Sequence, residues 1–338
     1  MKTPYHGGAL DAAIAEFGGE RCDWLDLSTG INPHAYPITP ASADSLHRLP
    51  DQGQLNRLLA VARKAFAVSE GFEIVAAPGT QALIELLPRL LPGREATIIA
   101  PHSGTYREHA HCCIKAGRDV EEVLSPDDVE ARGQLAILVR PNNPDGSIAA
   151  REDVLALSQR LERSGGMLIV DEAFCDCTPR ASLAGEHVTG LVILKSFGKF
   201  FGLAGLRLGF ALCPPDLAAQ IADRFGPWAI SGPGIEAGIA AYGDDAWIAA
   251  MRARLADESQ AVAAILENAG LEIAGRNGLF VLARHHQSEG IFRELAGRHI
   301  LVRPFPDRPG LLRFGLPGSD FDRRRLKQAL HEIGQHLP

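Results

Sequence analysis

Ser196-Phe197-Gly198-Lys199-Phe200-Phe201-Gly202-Leu203-Ala204-Gly205-Leu206-Arg207 sets one lysine among aromatic and glycine residues, directly after the apolar run 191–195 and before another at 208–212. Removal from water disfavours an ammonium, and the neutral amine that results attacks aldehydes. Upstream, short β-branched or leucine-rich runs lie at 72–76, 96–100, 135–140 and 167–171, separated by amphipathic stretches. That alternation predicts parallel strands joined by helical crossovers, a doubly wound α/β sheet. In one crossover, residues 151–163, Val154, Leu157 and Leu161 share a helical face, and Gly165-Gly166 stops the helix.

Open α/β sheets bind ligands outside the carboxyl ends of their strands, so each strand end is a candidate site. The run 72–76 leads into Gly79-Thr80-Gln81, where glycine permits the turn and the next two residues can offer N–H groups to a phosphate. The run 135–140 leads into Pro141-Asn142-Asn143-Pro144-Asp145-Gly146, a turn whose asparagines can hydrogen-bond outward. The run 167–171 ends in Asp171-Glu172-Ala173-Phe174, and a carboxylate at the end of a buried run requires a cationic or hydrogen-bonding partner.

These three elements, PNNPDG, DEAF and SFGKFFGLAGLRLGF, in this order resemble the fold-type I pyridoxal-phosphate enzymes, in the branch that includes histidinol-phosphate aminotransferases and threonine-phosphate decarboxylases. The resemblance covers nearly the whole chain. It implies that Lys199 holds pyridoxal 5'-phosphate as a Schiff base and that Asp171 pairs with the protonated pyridine nitrogen, keeping the ring an electron sink. It also implies that Asn143 bonds the cofactor's 3'-oxygen, Tyr106 stacks on the ring and His109 supports Asp171. Ser196, Arg207 and the Gly79-Thr80-Gln81 turn would hold the phosphate. Arg303 in ILVRPF and Arg313 in LLRFGLP resemble the arginines that bind substrate anions. His6-Gly7-Gly8 and Ser28-Thr29-Gly30-Ile31-Asn32-Pro33 resemble N-terminal motifs of the decarboxylase branch, which gives His6 and Asn32 substrate-binding roles, partly across a dimer interface.

The expected reaction is decarboxylation of L-threonine O-3-phosphate, with an aminotransferase such as one acting on histidinol phosphate as the alternative. Phe174 stands where many aminotransferases have a tyrosine that assists Asn143, and Leu49-Pro50-Asp51 replaces a frequent Tyr-Pro-Asp. Two further readings are weaker: a non-catalytic regulatory domain lacks the preceding sequence for a helix-turn-helix, and GLAGLRLG lacks the spacing of a dinucleotide site.

Composition is consistent with this reading. The 338 residues are 46% hydrophobic and 22% charged, enough for a full core. A net charge of −7 without a basic block disfavours nucleic acid. The opening MKTPYHGGAL has no signal-like apolar core and no run approaches a membrane span, so a cytoplasmic, non-membrane protein is expected. The six cysteines lack metal-site or disulfide-framework spacing, so free thiols and no metal are expected. A change of pattern at Gly232-Pro233-Gly234 suggests a cofactor-binding domain over 45–234 and a smaller α+β domain from 1–44 and 235–338, assembled as a homodimer.

Overall fold

Every residue of Leu135–Val139 is buried, as expected of a strand covered on both faces. The computed structural model describes residues 7–186 and 188–335 and places this strand inside a seven-stranded sheet. In chain order the strands are β1 (Glu73–Ala77), β2 (Glu95–Ile99), β3 (Asp119–Val123), β4 (Leu135–Val139), β5 (Met167–Asp171), β6 (Leu191–Ser196) and β7 (Gly209–Cys213). Their spatial order is β1-β7-β6-β5-β4-β2-β3. Strands β2 to β6 run parallel, while β7 is antiparallel to both of its neighbours. The α/β fold with a mostly parallel sheet agrees with the sequence reading.

Two features were not evident from the runs. Strand β3, DVEEV, has no buried residue and forms a charged sheet edge, the form in which exposed edges resist pairing with other chains. Residues 197–208 join β6 to β7 with only a four-residue helix and a 3-10 turn, no crossover helix among them, and β7 returns antiparallel.

Helix α1 (Gln52–Ala65) precedes β1, and the crossover helices include α2 (Thr80–Leu90), α3 (Glu108–Lys115) and α4 (Arg151–Arg163). Helix α1 starts at a capping box in which Asp51 accepts from Gln54 N–H at 2.7 Å and the Gln54 side chain answers Asp51 N–H. Val154, Leu157 and Leu161 of α4 are fully buried, the face expected from their spacing.

The chain divides into two compact units. The larger comprises 35–143 and 147–251; the smaller comprises the described residues up to His34, Pro144–Gly146 and those from Arg252 onward. These limits differ from the expected 44/45 and 234/235. Helix α5 (Gly232–Tyr242) packs so closely on α1 that a Cβ at Gly238 would lie 2.6 Å from Leu58 Cδ1, so it belongs to the larger unit. Residues 144–146 belong to the smaller unit because Gly146 lies against the backbone of Arg276 and Asn277.

The smaller unit contains a four-stranded antiparallel sheet in the order Arg303–Pro304, Leu311–Gly315, Phe280–Arg284, Glu272–Asn277. The short strand Leu25–Asp26 pairs in parallel with Ile300–Leu301. Among the described residues, no helix is long and apolar enough to cross a membrane, and no group of three or more His, Cys, Asp or Glu side chains could hold a metal ion.

Candidate active site

In the larger unit the polar residues gather at the carboxyl ends of β4, β5 and β6. Asp171, the last residue of β5, is 3% exposed. Its Oδ2 lies 2.9 Å from Nε2 of the equally buried His109, and its Oδ1 accepts from Ala173 N–H at 2.9 Å. The partner that a buried carboxylate requires is thus supplied by α3. Tyr106 stands edge-on to His109, ring centroids 5.9 Å apart at 84°. Asn143 is buried at the end of the β4 turn. The neighbouring Asn142 donates to the Gly104 carbonyl at 2.9 Å and accepts from Thr105 Oγ1 at 2.7 Å, tying down the loop that carries Tyr106.

Lys199 is partly exposed in the short helix Phe197–Phe200 after β6, its Nζ 5.7 Å from the centre of the buried Phe174 ring. Ser196, at the end of β6, is paired in register with Gly209. Arg207 has a left-handed backbone (φ 53°), and its guanidinium packs on Gly79, where a Cβ would come within 2.5 Å of Nη2. Gly79 itself has φ 83°, so both the turn and the close approach require glycine. It is the N-cap of α2, leaving the first amides of that helix without intrahelical acceptors.

The side chains of Thr80 and Gln81 do other work. Thr80 Oγ1 donates to the Lys195 carbonyl at 3.2 Å, and Gln81 Nε2 donates to Glu108 Oε2 at 3.1 Å. For an anion at this turn, the relevant donors are the backbone amides and Arg207.

A second polar cluster involves residues with no role in the sequence reading. Glu172 follows Asp171 and in extended backbone leaves the opposite face of the sheet. It meets Lys195 Nζ at 2.6 Å, accepts from Ser182 Oγ at 2.6 Å and from Leu183 N–H at 2.7 Å. Burial alone would favour a neutral amine at Lys195, but Glu172 outweighs it and holds the proton above the usual lysine range. Each member of this pair looks unremarkable in sequence; only the pairing of β5 with β6 joins them.

The smaller unit brings together other predicted residues. Arg303 and Arg313 are register partners on adjacent antiparallel strands, both buried. Arg313 Nη2 donates to the Ser28 carbonyl at 2.9 Å, and its guanidinium lies 5.1 Å from the Phe280 ring centre. Arg303 lies 5.0 Å from the Phe305 ring centre. The motif around Ser28 is seated on the Arg313 strand, since a Cβ at Gly315 would lie 2.4 Å from the Thr29 carbonyl oxygen. Gly8 N–H donates to Ser28 Oγ at 2.7 Å, and buried Asn32 accepts from His34 N–H at 2.9 Å. His6 lies outside the described residues.

The family model for aminotransferases of class I and II matches residues 23–333, nearly the whole chain. The chain belongs to this family. Among its relatives, a threonine-phosphate decarboxylase of Sinorhizobium sp is 41% identical over 335 residues, covering 98% of each chain. A protein of the same name from Pseudomonas aeruginosa is 38% identical over 328 residues, covering 96% of each. Histidinol-phosphate aminotransferases are more distant, the Aeromonas salmonicida protein being 27% identical over 91% of this chain and 88% of its own. The aminotransferase fold is also seen in solved structures. The histidinol-phosphate aminotransferase of Clostridium acetobutylicum superposes with a TM-score of 0.80 at 23% identity, over 92% of this chain and 99% of its own. That of Sinorhizobium meliloti, solved with pyridoxal-5'-phosphate, gives 0.80 at 21% identity, over 100% and 96%.

Proposed function

We propose that this chain is a pyridoxal-phosphate-dependent lyase that decarboxylates L-threonine O-3-phosphate to (R)-1-aminopropan-2-ol O-phosphate, as in cobalamin biosynthesis. The observation that carries the reading is the 41% identity over 98% of both chains with a threonine-phosphate decarboxylase. The residues of the larger unit suit the cofactor: a glycine turn that a side chain would fill, helix amides beside an arginine for a phosphate, and a buried carboxylate for a protonated ring nitrogen.

When bound, pyridoxal phosphate supplies an aldehyde for the amine and a ring that accepts the electron pair of the broken bond. Lys199 Nζ would be the amine that holds it and the group that returns a proton to the substrate's α-carbon. Asp171 would pair with the protonated ring nitrogen, its carboxylate oriented by His109. Asn143 would bond the cofactor's 3'-oxygen, and Tyr106 would offer its ring face. Thr80 and Gln81 contribute N–H groups, Ser196 its hydroxyl and Arg207 its guanidinium to the phosphate.

Arg303 and Arg313 would take the substrate's two anionic groups. A guanidinium fork meets a carboxylate or a phosphate bidentately, and the two arginines share one register position. His6 and Asn32 would complete the substrate contacts. We also infer a homodimer, because Leu46 (62% exposed), Leu49 (67%) and Trp228 (59%) of the larger unit present apolar side chains that a second copy would cover. Sedimentation at the mass of a single 36.2 kDa chain would refute it. Six free thiols support a cytosolic setting.

The deciding experiment incubates holoenzyme with threonine phosphate, with and without 2-oxoglutarate, and identifies the product by mass. Loss of carbon dioxide without need of the oxo acid is expected. A product formed only with 2-oxoglutarate would make the chain an aminotransferase.

A further inference from the structure

At the start of α2, one side chain turns away from the anion that its backbone faces. Gln81 Nε2 donates to Glu108 Oε2 at 3.1 Å, and Gln81 Oε1 accepts from the Tyr106 hydroxyl at 3.5 Å. Each end of this amide has its own partner: the NH2 group donates to the carboxylate and the carbonyl accepts from the phenol. Cys112, four residues along α3, places its thiol 3.9 Å from the same Glu108 oxygen. Burial first and Glu108 second push that thiol's pKa up to about 11, so it stays protonated and donates.

Glu108 is 8% exposed, an unusual place for a carboxylate whose role is only solubility. It is followed directly by His109, which reaches Asp171. Helix α3 therefore holds two parts of the cofactor region: the ring-nitrogen carboxylate through His109, and the Tyr106 hydroxyl through Glu108 and Gln81.

We propose that Glu108 and Gln81 are positioning residues that fix the plane of the Tyr106 ring against the pyridine ring, so that retention of the cofactor depends on Glu108 acting through Gln81. This rests on the reading of Tyr106 as the stacking residue. In that arrangement Gln81 serves the cofactor twice, by its amide N–H toward the phosphate and by its side chain toward the aromatic ring. The side-chain part is separable by substitution, because Gln81→Leu keeps the backbone amide.

The test follows release of pyridoxal phosphate from diluted holoenzyme by its visible absorbance, in Glu108→Gln, Gln81→Leu, Tyr106→Leu and the Glu108→Gln/Gln81→Leu double variant. Gln81→Leu and Glu108→Gln should each speed release by about 3- to 10-fold, the scale of one or two hydrogen bonds. Glu108→Gln should add nothing once Gln81 is leucine, because its route to Tyr106 is gone. Multiplicative effects would show that Glu108 acts independently and would overturn the proposal. If Tyr106→Leu leaves release unchanged, the stacking reading fails; if it speeds release while Glu108→Gln does not, only the relay fails. Should Gln81→Leu fold poorly, Gln81→Met removes the same two bonds with a more adaptable side chain.

Discussion

The two faces of the sheet at the end of β5 and β6 use the same residue types to opposite ends. On one face are Asp171, His109 and Lys199; on the other are Glu172 and Lys195. Lys195 is 2% exposed and locked to a fully buried glutamate. Lys199, four positions on and past the end of the strand, is partly exposed with its amine near an aromatic ring. A lysine whose charge is matched inside the core is structural, and one placed beyond the strand end can change bonding partners. Four residues of sequence separate the two outcomes.

The sharpest way to break this comparison is to remove each lysine in turn. With Lys199→Ala, borohydride reduction of the holoprotein should leave no cofactor adduct by intact mass, and turnover should fall by on the order of 10⁴-fold or more, as when a reacting nucleophile is lost. An adduct that persisted would mean that another amine holds the cofactor. Lys195→Met should behave differently, keeping the adduct but removing the cation that faces the buried Glu172. Removing one partner of a buried ion pair costs about 3–5 kcal/mol, so a large fall in the urea midpoint is expected. An unchanged midpoint would show that the pair contributes nothing to stability.

The same contrast marks how far the sequence could be read. Asp171 stands out in the sequence because it ends an apolar run, and Lys199 because it lies among aromatic and glycine residues. The buried strands were legible as apolar runs, whereas β3 was not, since DVEEV carries the charges of an exposed edge. Glu172 and Lys195 could not be paired in advance, because their contact depends on which strands lie side by side. Gln81 is conspicuous in the sequence only for its place at a helix start, and its side-chain partners Glu108 and Tyr106 lie 27 and 25 residues away. The register that sets Arg303 opposite Arg313 likewise depends on how two strands pair.

The smallest expected effect concerns the thiols beside each cluster. Burial, then Glu172, pushes the Cys175 thiol up to about 12, with Lys195 and Arg140 pulling the other way. Near the other face, burial and Glu108 push Cys112 up to about 11. Both values exceed the ordinary 9, so the native state keeps these protons at a pH where the unfolded chain releases them. That stabilisation is complete below the unfolded value and is lost as pH rises toward the folded one. Each thiol can add at most one proton to the difference, a slope of up to about 1.4 kcal/mol per pH unit. Urea melts from pH 8.5 upward should therefore show a shallower alkaline loss for Cys175→Ala and Cys112→Ala than for the parent. The flattening should extend further for Cys175→Ala, because its titration window is wider. Parallel curves for parent and both variants would mean that neither thiol keeps its proton longer in the folded chain, and that the carboxylates beside them are screened.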